Sequence, residues 1–230
     1  HIRISDDTNK VYGSIKVNVN VQGGIAQPKV VGGENHFVAL KSDGTVWTWG
    51  YNGYGDLGLG DTTNRTEPEQ VKAEITQDDG TKTEEKITDA IDVAAGYNYT
   101  LILRKDGTVW ASGFNNKGQL GDGTTANTTK FHKVKGENGV GYLQNIVQIV
   151  SEDHTSHALT ADGSVYSWGY NYYGQFGINK GTGEDANPYP VKMQKVSNII
   201  QMSTGEQHIS MLDADGSVWS VGNNGDGQFG

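Results

Sequence analysis

Residues 32–58 read GGENHFVALKSDGTVWTWGYNGYGDLG, and this pattern occurs four times in the 230-residue chain. The later copies begin at Ala95, Ser151 and Thr204. Self-similarity along a chain is typical of propellers and solenoids, in which each repeat is one supersecondary unit that stacks on its neighbours. The pattern therefore predicts a repeat architecture with one unit for each copy.

Each copy predicts two β-strands joined by a tight turn. The turn is marked by an Asp-Gly pair, first Asp43-Gly44, because such a pair supplies the positive φ that a two-residue hairpin needs. The flanking segments FVAL and TVWTW are β-branched and aromatic stretches of strand length. Large side chains occur at both parities, as Val46 beside Trp47 shows, so both faces of each sheet should be covered, as in stacked blades.

The composition excludes several functions. The formal net charge of -9 opposes the neutralisation of phosphates, so we expect no nucleic-acid partner. The chain has no cysteine, which excludes disulfides, thiolate metal sites and a thiol nucleophile. No apolar run approaches the roughly 20 residues of a membrane span, so we expect no membrane insertion.

The second strand of each copy ends in a motif Gly-x-Asn-x-x-Gly, first at residues 50–55, which we interpret as a turn without chemistry of its own. With the Gly-x-x-His openings of residues 33–36 and 205–208, these motifs resemble the regulator of chromosome condensation repeat of the bacterial type. The resemblance covers residues 30–230. It implies an all-β chain, a β-propeller of four-stranded antiparallel blades, with about four blades present of a typical seven.

The resemblance also divides the chain. Residues 25–230 are predicted to form the partial propeller, with repeats near 30–71, 93–134, 149–191 and 200–230. Residues 1–24 lie outside it, and residues 11–21 alternate strictly between apolar and polar, as a half-buried strand does. This segment resembles the closing strand of a bacterial immunoglobulin-like domain followed by a linker; the alternative is a strand that closes or caps the propeller.

The ends of the sequence suggest an internal piece of a longer polypeptide, because it begins with His1 and stops at Gly230 inside a motif. The pairing of a propeller with an immunoglobulin-like domain would suggest an extracellular or cell-surface bacterial protein; the cytoplasm is the alternative. A four-blade arc should also leave two outer blade faces uncovered, with Val218 and Trp219 among the residues that they display.

The third copy departs from the others, with Glu152 where they have glycine and Thr155 where the first and fourth have histidine. A histidine that is replaced between blades is not expected to be catalytic, and we expect it to pack and hydrogen-bond within its own blade. His154 and His157 are three apart on a predicted strand and should point to opposite faces, so they do not suggest a metal site. We therefore predict no catalytic residues, no metal, no cofactor and no enzymatic activity.

The variable positions of the Gly-x-Asn-x-x-Gly turn are the candidate binding site, since they hold aromatic residues where small polar ones are usual. Exposed tyrosines bury area at low entropic cost and keep a polar group, which is typical of binding surfaces. The alternative is that these rings pack on adjacent blades. The candidates are Tyr51, Tyr54, Phe114, Tyr170, Tyr172 and Tyr173.

These residues favour a non-enzymatic module that binds a protein partner, or a surface carbohydrate, with one propeller face. The resemblance agrees, because the family contains exported bacterial β-lactamase inhibitors that bind their target in this way. Two alternatives stay open: guanine-nucleotide exchange on a small GTPase, as in the family's eukaryotic founder, and a structural spacer. Finally, residues 72–89 are predicted to form an exposed charged hairpin that lengthens the first blade, turning at Asp79-Gly80.

Overall fold

The computed structural model describes residues 25–76, 81–178, 183 and 185–230, together with the backbone of residues 2–5 and 11–15. The regular elements of this part are β-strands and one short 3-10 turn at Glu137–Gly139. In chain order the strands are β1 Ile2–Ser5, β2 Val11–Ile15, β3 Lys29–Gly32, β4 His36–Leu40, β5 Val46–Gly50, β6 Arg65–Gln70, β7 Lys72–Thr76, β8 Lys82–Lys86, β9 Ala90–Ala95, β10 Tyr99–Arg104, β11 Val109–Gly113, β12 Thr128–Lys133, β13 Ile146–Glu152, β14 Thr155–Thr160, β15 Val165–Gly169, β16 Asn187–Lys192, β17 Ile199–Thr204, β18 His208–Asp213 and β19 Val218–Gly222.

The four sequence copies form four antiparallel sheets, the blades of a β-propeller. Blade 1 contains β3 to β6, blade 2 contains β9 to β12, blade 3 contains β13 to β16, and blade 4 contains β17 to β19. Each predicted hairpin is present: Leu40 pairs with Val46 across the first Asp-Gly turn, where Gly44 has a φ of 76°. The all-β propeller is therefore confirmed.

The core lies between the blades, because both faces of each sheet carry apolar side chains. One cluster joins Val46 of blade 1 to Val93 and Ile102 of blade 2. Two further clusters join blade 2 to blade 3 and blade 3 to blade 4. Each blade thus depends on its successor for burial, as repeat architectures do.

The charged hairpin exists, but the prediction that it lengthens the first blade is wrong. β7 and β8 pair with each other, and β7 runs parallel to β12, with Ala73 opposite Phe131, so the hairpin extends blade 2. The expectation that it is fully exposed is wrong as well, since Ala73 and Ile87 are buried against Phe131 and join the cluster between blades 1 and 2. The predicted turn at Asp79-Gly80 lies outside the described residues.

β1 and β2 form a separate two-stranded antiparallel sheet, with Ile2 opposite Ile15. The predicted strand at 11–21 thus contains β2, and residues 16–24 lie outside the described part. Its assignment to an immunoglobulin-like domain or to a cap stays a prediction.

Candidate binding face

The asparagine of each Gly-x-Asn-x-x-Gly motif holds its loop from within, which confirms that the motif is a turn. The side chain of Asn52 is buried; its Oδ1 accepts from the Leu57 N–H at 3.0 Å and its Nδ2 donates to the Asp61 carbonyl at 2.9 Å. Glycine is required at Gly55, where φ is 88° and a Cβ would lie 2.5 Å from the Thr128 carbonyl oxygen. The loops are therefore preformed.

Two loops of each blade lie at the same end of the propeller. The Tyr51 N–H donates to the Asn35 carbonyl at 2.8 Å, which ties the loop after β5 to the turn between β3 and β4. The same bond recurs in blade 3, from the Tyr170 N–H to the His154 carbonyl at 3.0 Å. We call this end, formed by the Asn-containing loops and the β-turns beside them, the loop face.

Three of the predicted residues form part of a continuous row of rings on the loop face. Tyr51 and Tyr54 meet edge to face at 6.0 Å, and Tyr54 lies 4.7 Å from Phe114 in the next blade. The row continues from Phe114 to His154 at 5.6 Å and from His154 to Tyr97 at 5.4 Å. These five side chains, here called the aromatic row, cross from blade 1 to blade 3.

The other three predicted residues form a separate group in blade 3. Tyr170 and Tyr172 stack at 5.9 Å, and Tyr172 meets Tyr173 edge to face at 4.9 Å. Lys117 of blade 2 places its Nζ 5.1 Å from the ring centre of Tyr170. We call Tyr170, Tyr172 and Tyr173 the tyrosine triad. Of the six predicted residues, three are exposed, namely Tyr54, Tyr172 and Tyr173. The other three are half-buried, namely Tyr51, Phe114 and Tyr170.

The aromatic row ends at the centre of the loop face, at a depression of about 260 Å³. Four residues that line this depression, one from each blade, hold the same position in their repeats. Backbone bonds join the loops there, from the Glu34 N–H to the Tyr97 carbonyl at 3.1 Å and from the Tyr97 N–H to the Asp153 carbonyl at 2.8 Å. A hydrogen bond to Glu34 and neighbouring carboxylates raise the pKa of the Tyr97 hydroxyl. The four residues of this acidic mouth are Glu34, Tyr97, Asp153 and Glu206.

His36 makes a hydrogen bond between blades, so the predicted bond within its own blade is wrong. Its Nε2 lies 3.1 Å from Oγ1 of Thr100 in the next blade, and burial lowers its pKa to about 4. The ring therefore bridges the two blades, and its burial favours the neutral form.

His154 and His157 do not meet. His154 Nδ1 lies 2.6 Å from Asp153 Oδ1 on the loop face, whereas His157 is buried with its Nδ1 2.8 Å from Ser167 Oγ. Among the described residues, no group of three His, Cys, Asp or Glu side chains is placed to hold a metal ion. None of the helical segments in that part is long and apolar enough to cross a membrane.

Tyr97, His154 and the carboxylates of the mouth were not among the predicted binding residues. They lie in the turn between the first two strands of each blade, whereas the predicted aromatic residues lie in the loop after the third strand. The signal for the mouth in the sequence is the position after Gly33, which is acidic in three of the four copies, as Glu34, Asp153 and Glu206.

Comparison with known families identifies the repeat. A family model described as "Regulator of chromosome condensation (RCC1) repeat" matches residues 43–103, 106–159 and 162–212. A second model of the same description matches residues 29–56, 90–119, 146–175 and 199–228. The chain belongs to the RCC1 repeat family.

Relatives of this RCC1-repeat chain are considerably longer. It is 32% identical over 209 residues to the ultraviolet-B receptor UVR8 of Arabidopsis thaliana, covering 90% of this chain and 43% of that protein. It is 30% identical over 210 residues to the mouse E3 ubiquitin-protein ligase HERC2, covering 90% of this chain and 4% of HERC2. The chain thus spans less than half the length of both.

Solved structures agree on the fold. The crystal structure of human WBSCR16 matches with a TM-score of 0.70 at 20% identity, covering 94% of this chain and 51% of that one. The structure of yeast RCC1 (Prp20) bound to Kap60 matches with a TM-score of 0.52 at 22% identity, covering 84% of this chain and 55% of that one.

Proposed function

We propose that this chain is a non-enzymatic module that binds a protein partner through its loop face. The observation that carries the proposal is the aromatic row, which runs without a break from Tyr51 on blade 1 to Tyr97 at the acidic mouth. Aromatic side chains are enriched in protein interfaces, where a few such anchors supply most of the binding energy.

The rigidity of the loops supports the proposal. Asn52 and Asn115 are buried and hydrogen-bonded to their own loops, so Tyr54 and Phe114 are held before a partner arrives. A preformed surface loses less conformational entropy on binding. The carboxylates of Glu34 and Glu206 favour a partner surface that carries basic side chains, because opposite charges guide association.

Relatives also support a protein partner. The solved yeast structures describe RCC1 (Prp20) bound to Kap60, and the binding properties of Prp20p to Gsp1p and histones. These statements concern the yeast protein; we extend from them only the class of partner. A location on a bacterial surface stays a prediction, and the relatives named above are eukaryotic proteins.

Nucleotide exchange on a small GTPase is the second candidate. The observation that favours it is 34% identity over 150 residues to the X-linked retinitis pigmentosa GTPase regulator of dog, over 65% of this chain and 14% of that protein. Faster release of labelled GDP from a GTPase on addition of the chain would establish this candidate.

Affinity capture with matched variants tests the proposal. The chain, Tyr54→Ala, Tyr172→Ala and the control Tyr142→Ala would be immobilised and exposed to extract of the source cells. Tyr142 is exposed like the others but lies in the connection from β12 to β13, beside the turn at Asp162.

We expect one protein to be retained in stoichiometric amount by the chain and by the control, and to be lost with Tyr54→Ala. Retention that is equal on all four baits would overturn the proposal, as would the absence of any retained protein. Selective retention of glycans that depends on Tyr172 would assign the face to carbohydrate instead.

A further inference from the structure

A pocket lies at the end of the propeller opposite the loop face, beside the Asp-Gly turn of blade 3. β14 runs from the loop face to this turn and β15 runs back, so the turn at Asp162 marks the far end of the blade. The volume of about 380 Å³ is within the range of small-ligand sites. The lining residues belong to blade 3 or to its connection from blade 2, and include Glu137, Val140, Leu143, Thr160, Asp162 and Tyr166.

The two walls of the pocket are joined by the backbone. The Ala161 N–H in the turn donates to the Asn145 carbonyl in the connection between β12 and β13 at 2.9 Å. On the connection, the ring of Tyr142 is covered by Lys133 and Lys135, whose Nζ atoms lie 5.7 and 4.9 Å from the ring centre. The walls are therefore fixed relative to each other, and cations of the chain itself already occupy the ring of Tyr142.

The other lining ring, Tyr166, holds a repeat position that has a cation over it in blades 1 and 2. This position is the second residue of the third strand, and it holds Trp47 in blade 1 and Trp110 in blade 2. Lys41 Nζ lies 4.0 Å from the ring centre of Trp47, and the Arg104 guanidinium lies 5.4 Å from that of Trp110. Such contacts are attractive because the face of an aromatic ring is electrically negative.

Blade 3 keeps the ring but not the cation. Thr160 stands where Lys41 and Arg104 stand, two residues before the aspartate of the Asp-Gly turn. Within the described part of the chain, no lysine or arginine lies over the ring of Tyr166. Lys192 pairs with Tyr166 across the strands, but it is exposed and does not line the pocket. The pocket therefore lies where blades 1 and 2 hold a cation of their own.

The charged side chains that line the pocket are both carboxylates, those of Glu137 and Asp162. Partial burial, together with the charges of Glu137 and Asp162, raises the pKa of the Tyr166 hydroxyl, so both carboxylates act on this ring. Asp162 is held in place by its turn, because its Oδ1 accepts from the Ser164 N–H at 3.1 Å. A cation in the pocket would therefore meet a ring face and two negative charges.

We propose that this pocket binds an organic ammonium group, which takes over Tyr166 the place that a lysine takes over its ring in blade 1. Glu137 and Asp162 balance the positive charge, and Val140 and Leu143 contact the carbon chain that carries it. The group belongs either to a lysine side chain of another protein or to a small free amine, because both present the same chemistry. The site is separate from the loop face, so neither proposal depends on the other.

A titration of the isotope-labelled chain with butylammonium chloride, followed by amide chemical shifts, tests the proposal. Butanol, which has the same carbon chain without the charge, is the control ligand. Thr160→Lys gives blade 3 the residue type of blade 1, so it should fold and place its own ammonium in the pocket. Asp162→Asn removes a charge but keeps the acceptor for the Ser164 N–H. Asp106→Asn is its matched control, because it makes the same change in the turn of blade 2.

We expect saturable shifts at residues 137–142 and 160–166 with butylammonium and no such shifts with butanol. Thr160→Lys should abolish them. Asp162→Asn should weaken binding by roughly threefold to tenfold, as expected for one partly exposed charge, whereas Asp106→Asn should bind as the unchanged chain does. Tyr166→Leu should weaken binding and Tyr166→Trp should retain it, because tryptophan is the strongest ring for such contacts.

Acetyl-lysine methylamide separates the two sources of the ammonium group. Binding at least as tight as that of butylammonium assigns the group to a lysine of a partner, and exclusion of this probe assigns it to a free amine.

Equal shifts with butylammonium and butanol would overturn the proposal, since the charge would then contribute nothing. Binding that survives Thr160→Lys in a variant shown by circular dichroism to be folded would also overturn it, and so would equal affinities of Asp162→Asn and Asp106→Asn. The absence of localised shifts at any soluble concentration of butylammonium would have the same meaning.

Discussion

Oε1 of Glu152 lies 3.5 Å from Nε2 of His157, and both side chains are completely buried. Desolvation raises the pKa of Glu152 because burial opposes the carboxylate more strongly than His157 stabilises it. The other repeats have glycine at this position and a ring three residues later; at Gly96 an added Cβ would lie 1.9 Å from the Tyr99 ring. The third repeat instead combines Glu152 with the small Thr155. The smaller side chain at position 155 leaves room for the larger one at position 152, so the two departures from the pattern compensate each other.

This exchange predicts strong coupling between positions 152 and 155. Thr155→Tyr should destabilise the chain by about 1 to 3 kcal/mol or more, because the ring enters space that Glu152 occupies. Glu152→Gly in the same chain should recover at least about 1 kcal/mol of that loss. Urea denaturation of the double-mutant cycle measures the coupling. Thr155→Tyr combined with Glu206→Gly, at the exposed mouth, should be additive; equal coupling in both pairs would contradict the assignment.

Asp56 predicts a pH dependence of stability. Burial raises its pKa to about 6 from an ordinary value of 3.8. The folded chain therefore binds more protons than the unfolded chain between these values, and the contribution of Asp56 to the free energy of unfolding falls as pH rises from about 4 to about 6. Asp56→Asn keeps an acceptor for the Tyr54 N–H and should be more stable by about 1 to 3 kcal/mol above that range.

The measurement is the difference in free energy of unfolding between the chain and Asp56→Asn from pH 4 to pH 8. It should grow with pH and level off above about 6.5. Asp185→Asn, at an exposed position, serves as the control substitution. A difference for Asp56→Asn that is flat across the range would show that this carboxyl titrates normally.

Thr100 joins blades 1 and 2. Its Oγ1 donates to the Asp56 carbonyl at 2.7 Å and lies 3.1 Å from His36 Nε2, and all three residues are buried. Thr100→Val should cost about 1 to 3 kcal/mol, because it leaves polar groups buried without partners. Thermal and urea unfolding measure the loss, and Thr62→Val at an exposed position should leave stability unchanged. An equally small effect of both would show that the bond contributes nothing.

In the hairpin of β7 and β8 and the residues that follow it, we expect buried side chains to contribute to stability and exposed charged side chains to contribute little. Ile87→Ala should destabilise the chain by about 2 to 4 kcal/mol, because Ile87 is buried in the cluster between blades 1 and 2. Glu84→Gln, which removes an exposed ion pair to Lys130 at 2.7 Å, should produce no measurable loss. Equal sensitivity at the two positions, by urea unfolding, would contradict this division.

The sequence by itself determined the repeat, the hairpins and the all-β class, because these depend on local chemistry. The pair Asp43-Gly44 specifies a turn, because glycine adopts the positive φ that the turn requires. The residues on either side specify which side chains lie on each face of the strands. Val218, which was expected on an uncovered blade face, is 68% exposed.

The tertiary structure alone decided which residues meet between blades. The hairpin of β7 and β8 follows blade 1 in the sequence but pairs with β12 of blade 2, where Ala73 lies opposite Phe131. The six predicted aromatic residues divide into a row and a triad, and His154 and Tyr97 complete the row from a different loop. The pattern of one repeat specifies its own turns and strand faces, whereas a contact between repeats depends on residues more than 40 positions apart that only the stacking of blades brings together.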